Sequence, residues 1–206
     1  MTDQAACTDA ELIRSFEGYE LFPLVVRLLA RGRPLELDEL AAVAGRPTHE
    51  LETLLRSQPG GDWDGNRLVG FGLTQRPTEH RYAVSGRALY TWCAADTLLF
   101  TVILGLPAVV ESRCHATGRF VRVEVAPDGI VSVDPAEAVV SQRQPAGDVC
   151  DIRREICDHG HFFASAAAAG PWLEEHGDGS VVSVAEALAS AQATCQMLGW
   201  VPAREC

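Results

Sequence analysis

The sequence contains no lysine. All 17 basic residues are arginine, set against 28 acidic ones, and the formal charge is −11. A surface of that sign repels phosphate backbones, so nucleic acid is not an expected partner. No Cys-x-x-Cys pair occurs, which excludes a paired zinc knuckle and a thioredoxin-like dithiol. A phosphate loop, a dinucleotide fingerprint and a Gly-x-Ser-x-Gly elbow are also missing. The longest apolar stretch, 94–110, is broken by Asp96, Gly105 and Pro107, so no membrane span is expected. No basic leader precedes an apolar run near residue 1, and the expected location is the cytoplasm.

What is present is a globular composition. Hydrophobic residues make up 47% of the 206 positions and charged residues 22%. The seven cysteines are odd in number and irregular in spacing, as expected of free thiols in a reducing compartment. No internal repeat is found. Residues 1–18 are expected to be a mobile, polar lead-in. Apolar spacing predicts helices over 20–30 and 36–44, and a third from Thr48, as its cap, to about Arg56. Asp64-Gly65 marks a hairpin before the strand-like Leu-Val-Gly-Phe-Gly-Leu. Three short helices and a hairpin make 19–80 a winged-helix-like domain. Its eight arginines against thirteen acids through residue 80 argue for a packing module, not a DNA reader.

The second part, 81–206, is expected to be a catalytic α+β core of mainly antiparallel sheet with flanking helices. A strand over 81–85 precedes a buried helix over 87–104. Alternation over 115–141 predicts strands. Ser165 caps a short helix to Glu175, Val181-Val182 is a short strand, and Ser183 with Glu186 forms a capping box ahead of a last helix to about Leu198.

Two segments carry candidate chemistry. In Leu-Tyr-Thr-Trp-Cys-Ala-Ala-Asp, Cys93 and Asp96 are three apart, which on a helix puts them on one face. Apolar neighbours would desolvate Asp96, raise its pKa and make it a proton donor beside a thiol. A buried cysteine and a locally bonded aspartate explain the same pattern. In Glu-Ile-Cys-Asp-His-Gly-His, Cys157, His159 and His161 alternate, and an extended chain would put them on one face as half a zinc site, with Cys150 at a non-standard spacing. Cys114, in Cys-His-Ala-Thr-Gly, suits a structural turn. Cys7, Cys195 and Cys206 have no partners nearby in sequence.

Taken together, Arg-Ala-Leu-Tyr-Thr-Trp-Cys-Ala-Ala-Asp-Thr-Leu-Leu-Phe, Glu-Ser-Arg-Cys-His-Ala-Thr-Gly, Ile-Cys-Asp-His-Gly-His-Phe-Phe-Ala-Ser and the closing Val-Val-Ser-Val-Ala-Glu-Ala-Leu resemble the organomercurial (alkylmercury) lyase family over about residues 20–198. The resemblance implies a winged-helix-like part before an α+β core, and a catalytic, mercury-binding set of Cys93, Asp96 and Cys157. It implies protonolysis of a carbon–mercury bond, giving a hydrocarbon and Hg(II) that passes to low-molecular-weight thiols or mercuric reductase. No cofactor and no metal other than mercury are implied. Some relatives carry a second cysteine where Asp158 stands, a difference that bears on product handling. The chemistry is coherent, since mercury(II) is soft and prefers thiolates, and a carbon leaving as a developing carbanion needs a positioned acid. Two rival expectations are a metal-responsive winged-helix regulator and a zinc- or copper-binding module on Cys157, His159 and His161.

Overall fold

The computed structural model describes residues 9–143 and 149–201; Cys7 and Cys206 lie outside them. Helix α1 (Asp9–Arg14) packs on the last helix and buries Ala10, so the expected mobile lead-in is ordered from residue 9 onward. After a 3-10 turn (Tyr19–Leu21) come α2 (Phe22–Leu29), strand β1 (Leu35–Glu36), α3 (Leu37–Ala44) and α4 (Thr48–Ser57). Thr48 is not the cap of α4. Pro47 holds the cap position, and the Thr48 hydroxyl donates to Asp38 Oδ1 at 2.7 Å. The hairpin forms where Asp64-Gly65 marks it, joining β2 (Asp62–Asp64) to β3 (Arg67–Phe71). Gly72, at φ +76°, turns the chain into β4 (Leu73–Thr74).

The larger correction falls on 87–104, where a single helix is expected. The strand expected over 81–85 forms as β5 (His80–Val84), but the chain after it makes a second strand, β6 (Arg87–Thr91), antiparallel to β5, and only then helix α5 (Ala94–Leu104). Ser85, at φ 49°, and Gly86, at φ 73°, form the tight two-residue turn between the strands. Strands β7 (Ala108–Arg113), β8 (Phe120–Ala126), β9 (Gly129–Asp134) and β10 (Val139–Arg143) follow. Next are α6 (Ile152–Glu155), a 3-10 turn (Cys157–His159), β11 (Phe162–Phe163), α7 (Gly170–Glu175), β12 (Gly179–Ser183) and α8 (Val184–Leu198).

The protein is α+β. Its main sheet runs β1-β3-β4-β6-β5-β7-β8-β9 with β2 beside β3, and a second sheet runs β11-β10-β12. Every strand pair is antiparallel. Helix α5 is apolar on nearly all faces, as a helix enclosed by protein must be. It packs against α2, α8, β8 and β10. One hydrophobic cluster reaches from Val25 to Trp200 and includes Leu98 and Phe100 of α5. The capping box on α8 forms as the sequence predicts, with Ser183 and Glu186 each bonding the other's backbone N–H.

Leu98→Ala removes a fully buried side chain from this central helix and should cost about 2–5 kcal/mol. Ser183→Ala should cost about 1 kcal/mol through the lost cap. Urea unfolding midpoints check both, and the Leu98 loss should be clearly the larger.

Candidate active site

Cys93 stands at the junction of β6 and α5. Its extended backbone, at φ −137° and ψ 170°, makes it the N-cap of α5, not a helical residue. The cap bond is made by sulfur: the Asp96 N–H donates to Cys93 Sγ at 3.3 Å. Cys93 and Asp96 therefore meet around the helix start, not along a helix face. Negative charge that develops on either group is favoured there by the helix dipole.

Cys157 arrives from the far side of the sequence. Asp151 caps α6 by accepting from the Arg154 N–H, and the next turn, of 3-10 type, begins at Cys157. A Cβ on Gly160 would lie 2.7 Å from Cys93 Cβ, so only glycine allows this approach. The Ala94 N–H donates to the Gly160 carbonyl at 2.9 Å, which locks the two segments together. Sulfur, carboxylate oxygen and sulfur of Cys93, Asp96 and Cys157 all lie within 4.8 Å of one another. The structure thus brings together all three residues that the sequence singles out.

The site is dry. Cys93 is 4% exposed and Cys157 7%. Burial pushes the Asp96 carboxyl up to about 6, partly offset by hydrogen bonds from the Cys93 thiol and the backbone. Its Oδ2 is buried without a hydrogen-bond partner. Cys93 is held well above the usual thiol range by its hydrogen bond with Cys157, by burial and by the Asp96 charge. The same bond favours the Cys157 thiolate, but burial and the nearby carboxylates outweigh it, and this thiol also stays raised. Asp96 and Cys157 line an apolar cavity of about 120 Å³, together with Phe22, Phe71, Trp92, Leu99, Ile152 and Trp200.

Asp62 braces both cysteine segments and is not singled out by any sequence pattern. It is 4% exposed, and its carboxylate accepts from Trp92 Nε1 at 3.2 Å, Thr74 Oγ1 at 2.7 Å and the Arg153 guanidinium at 3.1 Å. Arg153 also covers the Trp92 ring at 4.6 Å. Trp92 precedes Cys93 and Arg153 precedes Cys157 by one helical turn, so one carboxylate sets both. His80, buried and lowered to about 4 by desolvation, bonds Ser112 and the Gly160 backbone.

The expected face of Cys157, His159 and His161 does not form, because the segment is a 3-10 turn and not a strand. His159 Nδ1 lies 3.2 Å from His176 Nε2, while His161 stacks on His115. Cys150 is exposed outside the site. Cys114 closes the turn before β8, where its N–H donates to the Arg119 carbonyl at 2.7 Å. Cys195 is sealed in α8, and burial pushes its thiol up to about 12.

Residues 73–196 match the family model described as alkylmercury lyase. The alkylmercury lyase of Staphylococcus epidermidis is 42% identical over 185 residues, covering 86% of this chain and 85% of the relative. That of Streptomyces lividans is 46% identical over 164 residues, covering 79% and 76%. A crystal structure of the mercury-bound form of MerB2 shares the fold, with TM-score 0.76 and 22% identity over 91% of this chain and 94% of that one. No helix among the described residues is long and apolar enough to cross a membrane. With identity at this level over most of its length, the chain belongs to the alkylmercury lyase family.

Proposed function

We propose that this enzyme cleaves the carbon–mercury bond of organomercurials by protonolysis, with Cys93, Asp96 and Cys157 as its catalytic and mercury-binding residues. The observation that carries the assignment is the convergence of two thiols and one partnerless carboxyl oxygen at the end of an apolar cavity. The cavity takes the organic group, and water is kept from the reacting atoms.

Cys157 lines the cavity, so it captures R–Hg⁺ from a carrier thiol. That exchange returns a proton to the carrier. Binding of the metal to Cys157 removes the charge that opposes ionisation of Cys93. Cys93 then passes its proton to the Asp96 carboxylate, to which it is hydrogen-bonded, and its sulfur joins the mercury. Electron density from the second sulfur weakens the carbon–mercury bond. The bonding pair leaves with carbon, and Asp96 returns the proton to it. The products are R–H and Hg(II) held between two sulfurs, with Asp96 again ionised. A carboxyl near 6 suits both halves of this exchange at neutral pH.

Low-molecular-weight thiols then remove the Hg(II), with mercuric reductase as recipient, in the cytoplasm. Asp158 takes the place of a second cysteine beside Cys157, leaving release to the exogenous thiol. Helices α2–α4 followed by the β2–β3 hairpin support a winged-helix-like unit over 19–80 ahead of a catalytic core over 81–206. In this enzyme the unit supplies Phe22, Leu54 and Leu55 to the cavity wall.

Benzene release from phenylmercuric acetate in excess thiol tests the assignment. Cys93→Ser and Cys157→Ser should each lower it by more than about a thousandfold, in the range of a lost covalent ligand. Parental turnover by either variant contradicts the proposal. Gly160→Ala pushes a methyl group into Cys93 and should lower kcat at least about tenfold with the fold intact by circular dichroism.

Asp96 also leaves a signature in stability. Its folded pKa is raised above that of an unfolded aspartate, so the folded state binds more protons between the two values. Stability from this group is present below about pH 4 and is lost as pH rises through about 6. The loss is about 3 kcal/mol on completion. Urea unfolding from pH 4 to 7 should show this decline in the parent and not in Asp96→Asn. Parallel profiles would remove the proton-holding role. Asp96→Asn should also retain organomercury without releasing hydrocarbon.

A further inference from the structure

A second group of ligating side chains lies outside the thiol site. Glu79 precedes β5, His115 sits in the turn between β7 and β8, and His161 follows the 3-10 turn that carries Cys157. Their ligand atoms all lie within 4.8 Å of one another. His115 Nδ1 is 3.9 Å and His161 Nδ1 3.7 Å from the same oxygen, Glu79 Oε2. Both separations are too long for hydrogen bonds. They are close to the spacing of two ligands on one small cation, because bonds of about 2.0–2.1 Å in a tetrahedron put ligand atoms about 3.3 Å apart.

His161 supplies the independent sign that something belongs there. Its side chain is 12% exposed, and its Nδ1 is buried with no hydrogen-bond partner. The His115 and His161 rings are stacked at 3.7 Å with 17° between their planes. The side chains of His115 and Glu79 are both exposed, which leaves the His115 ring room to turn. Backbone anchors keep His161 fixed: its N–H donates to Ser141 Oγ at 2.8 Å, and its carbonyl accepts from the Ser141 N–H at 2.9 Å.

We propose that Glu79, His115 and His161 bind one zinc-class divalent cation, with water completing its shell, as a clamp across three segments of the core. Imidazole and carboxylate suit borderline ions such as zinc, whereas mercury(II) prefers sulfur. The two sites therefore sort metals by softness. The clamp joins the 157–163 segment, on which the position of Cys157 depends, to the start of β5 and the end of β7. It is independent of the lyase assignment.

The experiment uses the full chain carrying Cys93→Ser and Cys157→Ser, so that the active-site thiols do not compete. Zinc titration by calorimetry should give one equivalent, and zinc should raise the unfolding temperature until a chelator removes it. His115→Ala and Glu79→Gln, both at exposed side chains, should each weaken binding at least about tenfold. Cobalt(II) in the same protein should show ligand-field bands without a sulfur-to-metal charge-transfer band. Absence of saturable zinc binding overturns the proposal. So does binding that both variants leave unchanged, or a sulfur band showing that the remaining cysteines hold the metal.

Discussion

The contact between Gly160 and Cys93 is the constraint on which the rest of the site depends. A cysteine that caps a helix and a cysteine that opens a 3-10 turn, 64 positions later in the chain, meet here because their segments are in close contact. The missing side chain at Gly160 allows that approach, and the hydrogen bond from Ala94 to its carbonyl fixes it. Around this contact the fold supplies braces from other elements. Asp62 holds Trp92 and Arg153, Ser141 holds the segment between residues 159 and 161, and His80 bonds both Ser112 and Gly160.

Desolvation gives that geometry its chemistry. In water both thiols and the carboxyl would titrate near their ordinary values, and a proton lost by sulfur would go to solvent. Enclosed by Phe71, Trp92 and Ile152, all three groups are pushed up, and a proton given up by sulfur has one nearby acceptor. The helix N-terminus works in the opposite direction, since it favours negative charge on Cys93. Balanced in this way, the site keeps its thiols protonated at rest, and only a cation soft enough to displace those protons would engage both sulfurs in the proposed reaction.

Much of this was legible in the sequence because local chemistry and tertiary packing agree. The capping box at Ser183, the Asp64-Gly65 hairpin and the alternating strands β8 and β9 form where their residues indicate. Residues 87–104 misled because β6 and α5 are both buried, so apolar residues run through the junction without a change of period. The true boundary lies at Cys93, whose sulfur does the capping that an oxygen usually does, and no cap pattern includes it. The set of Cys93, Asp96 and Cys157 came from the family resemblance, and spacing alone left it open. Asp62, Arg153 and Gly160 were invisible for another reason: each matters through contacts with residues distant in the chain. Cys157, His159 and His161 share a face only on an extended segment, and the 3-10 turn separates them.

The central claim is that one soft ion ends each turnover between two particular sulfurs. X-ray absorption at the mercury edge, recorded after a single turnover of phenylmercury without added thiol, reads that coordination directly. The account predicts two sulfur neighbours and no carbon in the parent protein, and mercury still bonded to carbon with one protein sulfur in Cys93→Ser. Mercury bound through one sulfur after benzene has left the parent, or two-sulfur coordination surviving in Cys93→Ser, would contradict it.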